Sequence, residues 1–269
     1  MKALAAFFLA VLALPAAEPV RQTWTIDGVE REALVHVPAA GAKSDPAPLI
    51  FFFHGRSGKM ADTARRHALH THWPEAVVVF PQGLPTPALK GKGDNLQPGW
   101  QVVPGQYADR DLRFFDAMLA SLKKDHRIDD RRIYVTGTSN GGGMTFLLWG
   151  ERGSVFAAVA PTCTAARALS ATQTEAALRR LPHLPSFHAA GEKDTTIPIA
   201  DQLATITLIR ESRSLGAGTP WGQPPERFST FYPSKTGAPL VTYLYPGGHG
   251  LPSDVSPILV KFFQQHRRP

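Results

Sequence analysis

The chain alternates short apolar runs with longer stretches in which apolar positions recur at helical spacing. Near-continuous apolar runs are typical of parallel strands that are covered on both faces, and amphipathic stretches between them are typical of crossover helices. The runs that predict parallel strands lie at 49–53, 76–80, 133–135, 156–160, 187–190 and 241–245. The stretches that predict helices lie at 60–70, 109–124, 139–149, 165–180, 198–213 and 253–266.

Two further apolar runs, at 24–26 and 33–37, flank the dipeptide Asp27-Gly28, which favours a tight antiparallel hairpin. Together with the six parallel strands, the hairpin predicts an α/β fold with a mostly parallel eight-stranded sheet and helices on both faces. Two long stretches, 81–107 and 215–239, lack a regular pattern. The first follows the carboxyl end of a strand, where open α/β sheets place their sites, whereas the aromatic residues of the second are expected to pack.

Composition and charge narrow the class of protein. The 269 residues are 43% hydrophobic and 19% charged, which is the profile of a globular chain. Cys163 is the single cysteine, so an intrachain disulfide is excluded, and no linker or repeat divides the chain. The formal charge of +7 comes from scattered basic pairs without a nucleic-acid-binding motif, so we expect no nucleic-acid partner.

The N-terminus has the pattern of a secretory signal peptide. Lys2 precedes an apolar stretch at 3–14, and Pro15-Ala16-Ala17 provides the small-residue exit. A membrane-spanning helix needs about 20 apolar residues, so this stretch is too short to be a stable anchor. We therefore expect a signal peptide at 1–17, a single catalytic domain at 18–269, and a secreted or periplasmic location. No oligomeric state is predicted.

The segment Gly137-Thr138-Ser139-Asn140-Gly141 matches the pattern G-x-S-x-G and carries the strongest chemical signal. A β-branched strand precedes it and an apolar helical segment follows it, which is the setting of a nucleophile on a sharp strand-to-helix turn. Consecutive glycines each cost a helix about 1 kcal/mol relative to alanine, so close packing beneath a nucleophile would explain them. The alternative is an ordinary glycine-rich turn.

A serine nucleophile needs a base, and the base needs an orienting acid. His249 follows the last predicted strand between glycines, and Asp194 follows the preceding one. The order Ser139, Asp194, His249 is the one that an α/β-hydrolase uses. Glu192 is the competing acid, but the turn that begins the next helix favours Asp194.

Two backbone amides should bind the oxyanion of the reacting ester. One is expected from Asn140, directly after the nucleophile, and the other from Arg56 in the loop His54-Gly55-Arg56 after an early strand. His54 is expected beside the substrate, where it braces this loop and transfers no proton.

These segments resemble the secreted poly(3-hydroxybutyrate) depolymerase and feruloyl esterase group of α/β-hydrolases, from Pro48 to the C-terminus. The resemblance implies a cofactor-free serine carboxylesterase that acts on small-molecule or oligomeric esters, either feruloyl and other aromatic esters or hydroxyalkanoate oligomers. It also implies a substrate contact for Trp100, in a segment similar to one beside the pocket of that group. The matching segments are His54-Gly55, 137–142, Gly191-Glu192-Lys193-Asp194 and Gly247-Gly248-His249.

The chain also departs from this group, and other functions stay open. Arg56 after His-Gly, the missing disulfides and the missing substrate-binding domain favour soluble esters over crystalline polymer. A peptidase or an acyltransferase would use the same side chains, and a non-catalytic binding protein could use the same scaffold. His67, His70 and His72 do not share one helix face, so a metal is not expected there, and Cys163 is expected to be a buried apolar residue.

Overall fold

The structure is a computed structural model that describes residues 17–38, 45–87, 95–166, 174–222 and 226–269. The predicted signal peptide, except Ala17, lies outside the described residues.

The described strands form one large mixed sheet and one small hairpin. In the large sheet the order is β1-β2-β4-β3-β7-β8-β9-β12-β11-β10, and β5 pairs with β6 separately. The strands are β1 Val20–Ile26, β2 Val29–His36, β3 Ala47–Phe53, β4 Val77–Pro81, β5 Leu84–Thr86, β6 Gln97–Gly99, β7 Ile128–Thr138, β8 Ala158–Thr162, β9 Ser186–Gly191, β10 Thr219–Pro220, β11 Ser229–Tyr232 and β12 Leu240–Tyr245.

Helices cover both faces of the large sheet. Along β3, Leu49, Phe51 and Phe53 contribute to the same apolar cluster as α3, α4, α5 and α6, whereas Ile50 and Phe52 pack with α1, α2 and α7. This alternation follows from the two-residue period of a strand, and it explains why the predicted parallel strands read as continuous apolar runs. The helices are α1 Met60–His67, α2 Leu69–His72, α3 Arg110–Asp125, α4 Asn140–Arg152, α5 Thr174–Arg180, α6 Ile199–Ser212 and α7 Val255–Gln264.

The predicted hairpin and the six parallel strands are confirmed. β1 and β2 pair antiparallel from Ile26 and Val29 outwards, and Asp27 and Gly28 between them both have positive φ. The parallel part of the sheet runs β4-β3-β7-β8-β9-β12. These pairings bring the carboxyl ends of β3, β7, β9 and β12 to one edge.

The predicted number of strands is wrong, since the large sheet has ten within the described residues. The stretch 215–239 supplies β10 and β11, which add to β12 antiparallel. These strands are two and four residues long, too short to show a clear alternation in sequence. The aromatic residues of this stretch pack as expected, because Trp221 and Phe228 contact the aromatic core.

Two predicted helices have different bounds. The helix expected at 60–70 is divided by Ala68, whose φ of 40° ends α1 and begins α2. The helix expected at 165–180 is seen only from Thr174, since Ala165 is not helical and 167–173 lie outside the described residues. Within the described ranges, no helix has the length and apolar character needed to cross a bilayer.

Candidate active site

Ser139 occupies the sharp turn between β7 and α4. Its φ of 57° and ψ of −116° lie outside the backbone regions that non-glycine residues normally adopt. Its amide donates to the Thr162 carbonyl at 2.9 Å, and its carbonyl accepts from the Gly143 amide at 3.0 Å. Strain held by such backbone bonds is typical of functional positions, and it presents the hydroxyl at the sheet edge.

The glycines around Ser139 allow the close packing that this turn requires. A Cβ at Gly137 would overlap the Gly141 carbonyl, and one at Gly141 would overlap the Phe53 carbonyl at the end of β3. A Cβ at Gly142 would lie 2.6 Å from Cγ2 of Thr164. The helix-weakening glycines therefore seat α4 directly against neighbouring backbone.

The structure brings the side chains of Ser139, His249 and Asp194 into one hydrogen-bonded chain. The Ser139 hydroxyl lies 2.9 Å from Nε2 of His249, and Nδ1 of His249 lies 2.8 Å from Oδ2 of Asp194. A histidine whose Nδ1–H donates to a carboxylate keeps Nε2 free to accept the serine proton. This geometry suits nucleophilic attack by Ser139.

Asp194 is fixed in the loop after β9 by several donors. Its Oδ1 accepts the amides of Thr196 and Ile197, at 2.9 and 3.0 Å. Its Oδ2 accepts Nε2 of Gln202 at 2.9 Å in addition to the histidine. Asp194 is buried, whereas the competing carboxylate of Glu192 is exposed.

Gln202 was missed by the sequence reasoning, although it is fully buried and contacts Asp194 directly. A signal was present, because Gln202 shares one face of α6 with buried Ile206 and Ile209, four and seven positions further on. A polar residue on an apolar helix face has to find a buried partner.

The His249 loop after β12 is also tied down. The Tyr245 hydroxyl lies 2.8 Å from the Gly250 carbonyl and 3.3 Å from that of Gly248, so it braces the backbone on both sides of the histidine. The imidazole therefore sits in a braced loop, although glycines flank it on both sides.

The loop predicted to supply an oxyanion-binding amide lies against the nucleophile. A Cβ at Gly55 would lie 3.3 Å from the Thr138 carbonyl and 3.5 Å from Cβ of Ser139, so the Gly55 backbone passes beside Ser139. Asn140 begins α4, where first-turn amides have no acceptor within the helix. The two predicted donors, Asn140 and Arg56, thus lie on the two segments that flank the serine.

His54 holds this loop from behind. Its Nδ1 lies 2.6 Å from the Gly55 carbonyl, and its Nε2 accepts the Gly83 amide at 2.9 Å. Burial lowers the pKa of His54 to about 4, so the ring is neutral at pH 7. Both nitrogens are engaged in bracing the loop, and His54 also lines the cavity beside this site.

Trp100 needs a correction, because its indole lies in the core, 1% exposed. The ring meets Phe53 edge-on at 4.9 Å, and Nε1 donates to the His54 carbonyl at 2.9 Å. Its backbone amide and carbonyl bond the Asn140 side chain at 2.7 and 3.1 Å. Trp100 therefore joins the two segments that are predicted to bind the oxyanion, and its buried ring has no surface from which to line an acyl pocket.

The other residues singled out in the sequence have structural surroundings. Cys163 is buried, and burial raises the pKa of its thiol to about 11. His67 stacks on Phe52 and bonds Ser256, and His70 packs against His36. Among the residues that the structure describes, no group of three potential ligands is arranged for a metal ion.

A cavity of about 710 Å³ opens beside this site. Its wall includes Gly55 and the chain neighbours of the serine and the histidine, Thr138 and Gly250. The cavity therefore lies next to the turn that carries Ser139.

Comparison of the amino-acid sequence with known proteins identifies a matching family model and several relatives. Residues 93–183 match the model of the prolyl oligopeptidase family. Feruloyl esterase D of Neurospora crassa is 31% identical over 144 residues, which cover 51% of this chain and 47% of the relative. Poly(3-hydroxyalkanoate) depolymerase C of Paucimonas lemoignei is 27% identical over 259 residues, which cover 81% of this chain and 58% of the relative.

Comparison with solved structures identifies the fold of the chain. A solved ferulic acid esterase superposes with a TM-score of 0.61 at 15% identity, covering 91% of this chain and 97% of that one. The chain has the α/β-hydrolase fold. The resemblance seen in the sequence is confirmed, and the named relatives agree with the prediction of a hydrolase. The chain spans about half the length of the feruloyl esterases it matches and less than two thirds of the depolymerase.

Proposed function

We propose that the protein is an exported serine carboxylesterase that works through an acyl-enzyme intermediate. The observation that carries the proposal is the hydrogen-bonded chain from Ser139 through His249 to Asp194. A serine hydroxyl next to a free Nε2, with a buried carboxylate on the other nitrogen, is the arrangement that acyl transfer requires.

In the first half-reaction, Oγ of Ser139 bonds to the ester carbonyl carbon as Nε2 of His249 takes its proton. The Asp194 carboxylate stabilises the imidazolium, and the amides of Asn140 and Arg56 stabilise the oxyanion. The C–O bond to the alcohol then breaks, the imidazolium protonates the departing oxygen, and the acyl group stays on Ser139.

In the second half-reaction, water replaces the alcohol. His249 takes a proton from the water, whose oxygen bonds to the acyl carbon. Collapse of the second tetrahedral intermediate breaks the bond to Oγ, and the proton returns to Ser139. Acid and free enzyme are the products, and no cofactor enters the balance.

The substrate class is proposed from the relatives. Feruloyl esterases and a poly(3-hydroxyalkanoate) depolymerase are among the proteins that this chain matches, so aromatic esters and hydroxyalkanoate oligomers are the candidate substrates. The proposal includes residues 1–17 as a signal peptide and 18–269 as one catalytic domain, and it places the mature protein outside the cell or in the periplasm. N-terminal sequencing of the exported protein tests this division.

Replacing Ser139 by alanine tests the function. We expect Ser139→Ala to lower kcat/KM for p-nitrophenyl acetate by at least about 10³-fold, because no other group can form the acyl-enzyme. Circular dichroism should show an unchanged fold. A fluorophosphonate probe should label the wild type at neutral pH and not the variant. Wild-type turnover by the variant would refute the assignment, and an unlabelled wild type would favour a binding protein.

A peptidase is the second candidate, since the prolyl oligopeptidase match spans the nucleophile turn. The same three side chains would cleave an amide, so only substrates can separate the two activities. Initial rates on methyl ferulate, hydroxybutyrate oligomers, short p-nitrophenyl esters and matched peptide amides should show esters preferred. Preferred cleavage of the amides would make the protein a peptidase.

A further inference from the structure

We propose that the cavity beside Ser139 is an anion-binding subsite, which selects esters that carry a second, free carboxylate. The inference rests on the proposed function and adds to it the charge of the substrate. Its basis is the wall of the cavity, where cationic side chains outnumber carboxylates near the reacting centre.

The cavity extends from Thr138, the residue before the nucleophile, along the loop after β3 and the exposed face of α1. Four cationic side chains line it, and one carboxylate, that of Asp62, stands among them. The cationic residues are Arg56, Lys59, Arg65 and Arg66. A cleft lined by one sign of charge focuses its field and raises the local concentration of ligands of opposite sign.

The carboxylate does not neutralise this charge. Asp62 pairs with Arg65 at 2.9 Å, one turn along α1. Lys59 and Arg66 have no carboxylate partner in the described part of the chain. Two cations are therefore left for a ligand.

Arg56 adds a third positive charge to the wall of the cavity. Its guanidinium donates to the carbonyls of Thr86, Pro87 and Asn95, at 2.9 to 3.0 Å. Carbonyl oxygens fix the side chain but carry no net charge, so the guanidinium still contributes a positive potential. The departure from the esterase group at this position, which the sequence showed, thus places a positive charge on the loop that passes beside Ser139.

The remaining wall supplies no compensating negative group. Phe52 and Leu251 are apolar, and Thr63 and Ser253 are uncharged. His67 is neutral at pH 7, because burial and nearby Arg66 lower its pKa to about 4. A substrate carboxylate would thus meet cations and neutral groups.

Two kinds of ester carry such a carboxylate. In a half-ester of a dicarboxylic acid it belongs to the acyl part, whereas in a hydroxyalkanoate oligomer with a free end it belongs to the alcohol part. Monoethyl succinate represents the first kind and 3-acetoxybutanoic acid the second. Ethyl succinamate and 3-acetoxybutanamide are the neutral counterparts, in which an amide replaces the carboxylate with little change of size.

The test compares kcat/KM for each acid with that for its amide. The subsite variant is Lys59→Gln/Arg66→Gln, which removes the two unpaired cations from exposed positions. The control is Lys124→Gln/Lys235→Gln, which removes the same charge at exposed positions of α3 and of the loop before β12. In the wild type we expect at least one acid to be preferred over its amide by about tenfold, and preferred less at high salt. Whichever acid is preferred shows which side of the ester faces the cavity.

The subsite variant should lose that preference while keeping the rates on the amides, and the control should keep both. If the subsite variant and the wild type prefer an acid over its amide to the same extent, and both compounds are hydrolysed, the subsite is refuted. The proposed esterase activity would still stand. If no ester is hydrolysed, the proposed function fails. Calorimetric binding of monoethyl succinate and ethyl succinamate to Ser139→Ala and to the triple variant Lys59→Gln/Arg66→Gln/Ser139→Ala then decides the subsite. Loss of selective monoethyl succinate binding in the triple variant supports it, and unselective binding by Ser139→Ala refutes it.

Discussion

The Asp194 carboxylate shows how a single side chain acquires its position. It follows β9 in a turn whose amides bind Oδ1, and both Gln202 and His249 bind Oδ2. Buried carboxylates need such donors, since an unpaired charge costs several kcal/mol when it leaves water. Glu192, two residues earlier, is exposed to solvent.

This contrast predicts different results for two isosteric substitutions. We expect Asp194→Asn to lower kcat/KM for p-nitrophenyl esters by roughly 10³-fold, because the amide cannot stabilise the imidazolium or select its tautomer. Glu192→Gln, the matched control, should remain within about twofold of the wild type. Steady-state kinetics on both purified variants checks the pair. If Glu192→Gln caused the larger loss, the acid would have to be reassigned.

The helix α4 carries glycines with opposite roles. Gly142 faces Thr162 and Thr164, where a Cβ would lie 2.6 to 2.7 Å from existing atoms. Gly150, two turns later, is exposed, and a Cβ there would lie 3.6 Å from Leu181, an ordinary contact. Helix propensity alone would favour alanine at both positions.

Packing therefore decides the sign of the effect on stability. Gly142→Ala should lower the free energy of unfolding by about 1–3 kcal/mol, the usual cost of overpacking, and reduce activity by displacing the nucleophile turn. Gly150→Ala should raise the free energy of unfolding by up to about 1 kcal/mol without changing kcat. Urea denaturation measures both. A stabilised Gly142→Ala variant would show that the space beneath the turn is not limiting.

Charge and burial also act across the molecule as a whole. Burial lowers the pKa values of four histidines to about 4, namely His54, His67, His188 and His266. In the unfolded chain they titrate near pH 6.5. Between these values the unfolded state binds more protons, so acid favours unfolding.

We expect the free energy of unfolding to be constant near pH 7.5 and to fall as the pH drops from 6.5 towards 4. Each histidine adds about 1.4 kcal/mol per pH unit at most. Urea midpoints at pH 7, 6 and 5 measure the slope. His188→Leu should reduce it, since it removes one of the four histidines that burial keeps neutral in the folded chain. A slope that is unchanged in this variant, or a stability that rises in acid, would contradict the argument.

Local pattern determined much of this protein. Near-continuous apolar runs predicted the six parallel strands, and a two-residue turn between two further runs predicted the hairpin, because backbone conformation responds to neighbouring residues. The same reasoning placed Ser139, Asp194 and His249 at the ends of strands. Parallel strands end at a common edge, so residues distant in sequence were expected to meet there, as their contacts now show.

Long-range packing decided the rest. β10 and β11 are strands because β12 offers a free edge, and their own sequences are too short to indicate it. Trp100 lies in the core because its indole N–H donates to the carbonyl of His54 and its ring packs edge-on against Phe53. Gln202 meets Asp194 only once α6 is docked. Such contacts depend on which surfaces are brought together, and spacing along the chain does not contain that information.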